Sequence, residues 1–315
     1  MTTLEQATIG DDTVRRPRRE HKRPIWMEKP NPVVQALKFV VLLVAVALVV
    51  VPFWSIVVTS LADQEAINDA GGGMLMWPDG VSLDAYQAVL SGGVVTRALL
   101  ISIGVTVIGT LLSLAASAGL AYWLARPGVV GGRPVLMLLL GAVLFSPGII
   151  PTYLVVREFG LLDSYASLVL PVMINAFNVI VMRAFFQELP QELFESAHID
   201  GATPFTVLTR IVLPLSKAVL AVVGLFYAVG YWNAFFNALL YIQTTDKWPM
   251  ALVLRTFVVN QSAIGGDQVG GSEALPPQLP MQMAILVIAI VPILLVYPFL
   301  QRHFAKGVLI GAVKG

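Results

Sequence analysis

Residues 39–54 read FVVLLVAVALVVVPFW, and no charged side chain occurs between Lys38 and Asp63. A helix needs about 20 consecutive apolar residues to cross the hydrocarbon of a bilayer. The stretch over 36–61 meets that length. It begins too far from the N-terminus, and runs too long, for a cleaved signal sequence. Comparable stretches follow at 98–125, 134–156, 165–186, 214–242 and 280–300. The chain therefore reads as an all-α integral membrane protein with six transmembrane helices. Composition agrees: of 315 residues 57% are hydrophobic and 12% charged, against about 25% charged in soluble domains. Mean hydropathy is +0.79, which excludes an ordinary soluble enzyme and a disordered chain.

Six spans put both termini on one side. With that side cytoplasmic, only Arg97, Arg157, Lys247 and Arg255 of the 20 Lys and Arg lie outside, as the positive-inside bias requires. The implied organisation is a basic, partly disordered cytoplasmic tail over 1–34, a transmembrane domain over 35–302 with a long inner loop at 187–214, and a cytoplasmic tail over 303–315. Arg15, Arg16, Arg18, Arg19, Lys22 and Arg23 in the first tail read as a topology signal or as a site for anionic lipid. On the outside, residues 82–90 (SLDAYQAVL) predict a short interfacial helix, capped by Ser82, with Leu83, Tyr86 and Leu90 on its apolar face. Residues 241–279, rich in Gly, Pro and Gln, predict a flexible loop.

Several chemistries are excluded. A net charge of +1 offers no field for nucleic acid. Cysteine is absent, and the three histidines are far apart, so no metal site is expected. No phosphate-binding loop or hydrolase motif occurs, so the chain is expected to hold no nucleotide or other cofactor and to have no catalytic residue. No ionisable group lies at mid-span, whereas ion-coupled transporters usually need one. A sodium-coupled carrier could use carbonyls and hydroxyls instead, so a stand-alone secondary transporter or channel for small polar solutes stays open as the alternative.

The intramembrane polar groups are hydroxyls and amides. Ser102, Thr106, Thr110, Ser113 and Ser117 form a stripe that either lets helices pack closely or lines a path. Pro147 and Pro151 predict a break in the third span. Asn175 and Asn178 flank Phe177. Residues 224–242 read GLFYAVGYWNAFFNALLYI. Taken as one helix, this segment puts Asn233, Asn237 and Tyr241 on one face, with Tyr227 beside Tyr231 and Trp232 beside Phe236. Amides and tyrosine hydroxyls can bond sugar hydroxyls, and aromatic faces can stack on a pyranose. The other reading is an aromatic belt with ordinary helix packing.

The inner loop reads PQELFESAHIDGATPFTVLTRIVLPL over 190–215. Pro190 can open a helix, Gly201 can end it, and Thr203–Pro204 can open a second. Glu188, Glu192, Glu195 and Asp200 crowd this one segment. Glu195-Ser196-Ala197, three residues, Gly201, nine residues, then Ile211-Val212-Leu213-Pro214 resembles the EAA signature of ABC-importer permeases, with Ser196 where that family usually has alanine. The form ESAHIDGA, including Asp200 and Ala202, resembles the carbohydrate-uptake subfamily. So do RAFFQELP over 183–190, the run through residue 242, and YPFLQRHFAKGVLIGAVKG over 297–315, which resembles the tail of the second permease subunit of maltose, oligosaccharide and alginate importers. The resemblance implies a type I importer permease of the bacterial inner membrane, multi-pass and surrounded by lipid. Its implied partners are a second permease subunit, an ABC ATPase dimer that holds ATP and Mg, an extracytoplasmic solute-binding protein and a sugar. It implies ATPase docking through Glu195, Ser196, Ala197, Asp200, Gly201, Ala202, Ile211, Leu213 and Pro214, with Lys306, Gly307 and Gly311 at the same interface. Asn175, Asn178, Tyr227, Tyr231, Trp232, Asn233, Phe236 and Asn237 would belong to the translocation path.

Overall fold

The computed structural model of the chain describes residues 31–77, 80–91, 93–259 and 279–312, the last stretch with side chains only to residue 298. The basic tail over 1–30 and loop residues 260–278 lie outside the described residues. Every described element is helical.

The chain divides into two compact units, Met1–Val51 and Pro52–Gly315. The division falls inside α1 (Pro32–Ser60), at Pro52, where the ring removes a backbone donor. In the first unit the apolar side chains of 33–51 are almost all exposed, as lipid-facing residues can be. In the second, the last turns of α1 carry buried Ser55, Thr59 and Ser60. Ser55 Oγ donates to the Leu75 carbonyl (2.9 Å), Leu75 N–H donates to Thr59 Oγ1 (2.9 Å), and Ser60 shares a bond with the Tyr86 hydroxyl (2.7 Å). These contacts pin the outer segment containing α2 (Gln64–Asp69) and α3 (Asp84–Ser91).

Helix α3 forms where a short outer helix is expected. Ser82 Oγ does accept from Asp84 N–H (3.1 Å), but the inward face is Tyr86 and Val89, while Leu83 and Leu90 are exposed. The helix packs against α4 (Val94–Ala125) and the long C-terminal helix.

α4 is the central element, 32 residues long. After it, α5 (Gly132–Leu144) and α6 (Ile149–Glu158) are separated at Phe145 and Gly148, where Pro147 and the positive φ of Gly148 (81°) stop the helix. α7 (Ala166–Val169) runs into a 3-10 turn, and α8 (Ala176–Gln187) follows at a bend of 53°. The inner segment holds α9 (Gln191–Ile199), α10 (Pro204–Val207), a π turn and α11 (Leu213–Leu215). α12 (Lys217–Trp232) turns off by 87°. α13 (Phe235–Tyr241), α14 (Met250–Leu254) and α15 (Leu279–Ala312) complete the chain.

Among the described residues three unbroken helices are long and apolar enough to span a bilayer, Pro32–Ser60, Val94–Ala125 and Leu279–Pro298, and two bent pairs raise the number to five. The expected third span is two short helices, broken where Pro147 predicts. The loop at 241–279 is also not wholly irregular, since α14 buries Met250, Leu252 and Val253. α15 continues through residue 302 without a boundary.

The core lies where α4, α8 and α12 meet, around Ala121, Val179, Met182 and Val223. Helices in lipid associate by close packing, not by escape from water. Gly109 and Gly224 provide that closeness. A Cβ on Gly109 would sit 2.9 Å from the Tyr231 ring, and one on Gly224 3.2 Å from Leu114.

Candidate functional site

The inner segment is shaped by its end residues. Pro190 is the N-cap of α9, and Glu192 lies in the first turn, where the helix dipole favours an acid. Asp200 caps the other end. Gly201 follows at φ +74°, Gly201 N–H bonds the His198 carbonyl (3.0 Å), and Ala202 N–H bonds the Ala197 carbonyl (2.9 Å). This left-handed closure is one glycine adopts without strain. Thr203 Oγ1 then accepts from Thr206 N–H (3.3 Å), with Pro204 in the first turn of α10. Ala197 is 6% exposed and packs into the core, with Ala202, Ile211 and Leu213 against the same cluster. Ser196 Oγ bonds the Leu193 carbonyl (3.3 Å). Glu195, Ser196, His198, Asp200 and Pro214 are exposed. Two large apolar side chains stand out beside them, Ile199 (86% exposed) and Phe205 (73%). The segment thus has one anchored face and one acidic, apolar free face.

Behind it lies a cavity of ≈ 440 Å³, bounded by Tyr122, Arg126, Phe186, Phe194, Glu195 and His198 among others. Arg183 Nε donates to the Leu124 carbonyl (3.0 Å) in the last turn of α4. Lys306, Gly307 and Gly311 lie in the helical backbone of α15, and their side chains lie outside the described residues.

Five of the proposed path residues come together. A second cavity of ≈ 480 Å³ is lined by Asn175, Asn178, Tyr227, Tyr231, Asn237 and their neighbours, none of them ionised at neutral pH. Asn175 caps α8 by accepting from Asn178 N–H (3.1 Å), and its own N–H donates to the Tyr227 hydroxyl (3.0 Å). Tyr227 and Tyr231 share hydroxyl bonds with Ser117 and Ser113 (2.7 Å each), and their rings stack at 6.5 Å. The serines of the α4 stripe therefore hold tyrosines, Ser102 accepts from Met250 N–H (2.7 Å), and the stripe packs helices together.

Trp232, Asn233 and Phe236 are not among the residues lining this cavity. The single face expected for Asn233, Asn237 and Tyr241 does not exist, because the helix breaks after Trp232. Asn233 Nδ2 turns back to the Val229 carbonyl (2.9 Å), and Phe235 N–H bonds the Asn233 carbonyl (2.8 Å). Asparagine competes in this way with the helical ladder.

Sequence reasoning missed an outer staple. Asp163, at φ +55°, accepts from Gln243 N–H, Thr244 N–H, Thr244 Oγ1 and Lys247 Nζ (3.0, 2.9, 2.7 and 2.8 Å). Nearby, Arg97 pairs with Asp246. The Lys247 ammonium and the Thr244 groups hold the Asp163 carboxyl well below the usual carboxylate range. A depressed folded-state pKa stabilises at pH above the unfolded value and loses that effect as pH falls through the folded one. The melting difference between wild type and Asp163→Asn should therefore be constant above about pH 5 and shrink below it. A difference that shrinks instead between pH 7 and 5 would contradict the assignment.

Among the described residues no group of three His, Asp or Glu could hold a metal. Residues 99–310 match the family of binding-protein-dependent transport system inner membrane components. The chain is 44% identical over 275 residues to a polygalacturonan/rhamnogalacturonan transport system permease protein, YtcP, of Bacillus subtilis, covering 87% of this chain and 96% of that protein. It is 48% identical over 271 residues to the protein LplC of the same organism, covering 85% and 90%. A chain in the crystal structure of a bacterial ABC transporter involved in import of the acidic polysaccharide alginate superposes with TM-score 0.80 at 26% identity, covering 88% of this chain and all of that one. The chain belongs to the binding-protein-dependent transport inner membrane components. It is a multi-pass inner-membrane permease subunit and not an enzyme.

Proposed function

We propose that this subunit forms half of the path of an ATP-driven, binding-protein-dependent importer for oligosaccharides. The relatives' names, a polygalacturonan/rhamnogalacturonan permease and an alginate importer, support the substrate class. The observation that carries the coupling is the two-faced inner segment: Ala197 is locked into the core while Glu195, Ile199, Asp200 and Phe205 project outward. A cleft on a cytoplasmic ATPase would grip that free face, with basic groups meeting the two carboxylates. Closure of the ATPase dimer on ATP and Mg would then move α9 as a lever. Both termini would lie in the cytoplasm, the broken α5–α6 segment would be one of six spans, and the chain would divide into 1–34, 35–302 and 303–315, with docking over 187–214. Lys306, Gly307 and Gly311 would meet the same ATPase. A second permease subunit would complete the path, and an extracytoplasmic solute-binding protein would deliver the sugar.

The test is Glu195→Lys in the reconstituted complex. Uptake should fall by more than about tenfold, since reversing a paired charge costs over 1.4 kcal/mol, while the amount of inserted subunit stays the same. Uptake at the wild-type rate would refute the docking role. Sugar flux from the purified subunit alone, following an ion gradient, would favour a stand-alone carrier instead.

A further inference from the structure

We propose that Asn178 and Asn237 are the residues with which this subunit reads sugar hydroxyls, and that their cavity takes the uncharged part of a sugar ring and not a carboxylate. The inference rests on the function proposed above and narrows it.

The polar groups around the ≈ 480 Å³ cavity are not equivalent. The tyrosine hydroxyls are engaged: Tyr227 with Ser117 Oγ and Asn175 N–H, Tyr231 with Ser113 Oγ and, at 3.4 Å, the Val169 carbonyl. Their rings stack on each other and are buried, so they back the wall, and the aromatic surface open to a ligand is that of Phe177 and Phe226 (56% and 46% exposed). The Asn175 carbonyl oxygen is committed to capping α8. Asn178 is different. It is only 5% exposed, it lines the cavity, and its side-chain amide has no hydrogen-bond partner among the described residues. The amide opens onto the cavity, where a ligand can meet it. Asn237, half-buried on α13, lines the same cavity with an equally free amide.

Each free amide offers two N–H donors and a two-lone-pair acceptor. A ring hydroxyl both donates and accepts, so it can use both ends of an amide at once. A carboxylate can only accept, and the amide oxygen would repel it. Lining residues include no Lys, Arg or His to neutralise it, and an ionised group entering such a site without a partner is strongly disfavoured. The aromatic wall supplies the apolar surface that a pyranose face packs on. The acidic groups of a uronide would have to lie outside this cavity.

The test uses the complete reconstituted importer with its binding protein and two matched probes, galactotriose and trigalacturonate. For Asn178→Leu the uptake rate at saturating loaded binding protein should fall about tenfold for both probes alike. Asn237→Leu, at a less buried position, keeps the test open if the first variant fails to assemble. The chain has no cysteine, so Asn237→Cys can be labelled with a maleimide, and either trisaccharide should slow that labelling, which a purely structural role would not produce. A much greater loss for trigalacturonate than for galactotriose would overturn the proposal, as would undiminished uptake of both in the two leucine variants. Transport of either probe that continues without the ATPase and the binding protein would instead sink the importer reading itself.

Discussion

A chain carrying Gly201→Val should insert in the membrane and transport nothing. No atom lies within 4 Å of a Cβ built on Gly201, so the effect is conformational and not a clash. At φ +74° an ordinary residue costs about 1–2 kcal/mol, and a branched one costs more. The strain would be relieved by unwinding the end of α9, which removes the bonds from Gly201 N–H to His198 and from Ala202 N–H to Ala197. Asp200 and Glu195 would then lose the register that their anchored neighbour Ala197 gives them. Gly201→Asn, which tolerates the left-handed region, should keep much of the uptake. Comparing uptake per inserted subunit in the two variants checks this, and equal rates would mean the closure has no mechanical role.

The second large effect is expected at Gly109→Leu. The first added carbon already lies 2.9 Å from Cε2 and Cζ of Tyr231, and that ring is held by Ser113 on one side and approaches the Val169 carbonyl on the other. Overpacking of this kind costs about 1–3 kcal/mol. With α4 and α12 forced apart, the monodisperse fraction in detergent and the thermal midpoint should both drop. Gly109→Ala should be milder, and Gly109→Ala with Tyr231→Val should recover part of the loss, because contacting residues are not additive. A midpoint unchanged in Gly109→Leu would refute the close packing.

What could be read in the residues divides by range. Pro190, Gly201, Thr203 and Pro204 act within a turn of themselves, so the shape of the inner segment was legible from spacing. So was the break near Pro147. The stop at Asn233 was not, because the run through residue 242 contains no proline and an asparagine breaks a helix only when its side chain turns inward. Tyr227 and Tyr231 were expected to offer hydroxyls, yet those hydroxyls meet Ser117 and Ser113, 110 and 118 positions away. Asp163 carries no local signal, because its partners at Gln243, Thr244 and Lys247 lie about 80 positions on. α14 hid in a loop whose composition suggested nothing regular. Of the residues proposed for the path, Asn178 and Asn237 stand out only once the structure shows which polar groups are already engaged.

The interruption between α12 and α13 bears on hydration. Ala234, where the helix stops, lies on the wall of the ≈ 480 Å³ cavity, and irregular backbone at membrane depth persists only inside protein or beside water. The stop is closed by its own backbone: Ala234 N–H bonds the Tyr231 carbonyl (3.3 Å) and Ala238 N–H bonds the Ala234 carbonyl (3.2 Å). The wall therefore keeps its shape at the break without help from water, and a sugar in the proposed path would meet side-chain amides there and not open backbone.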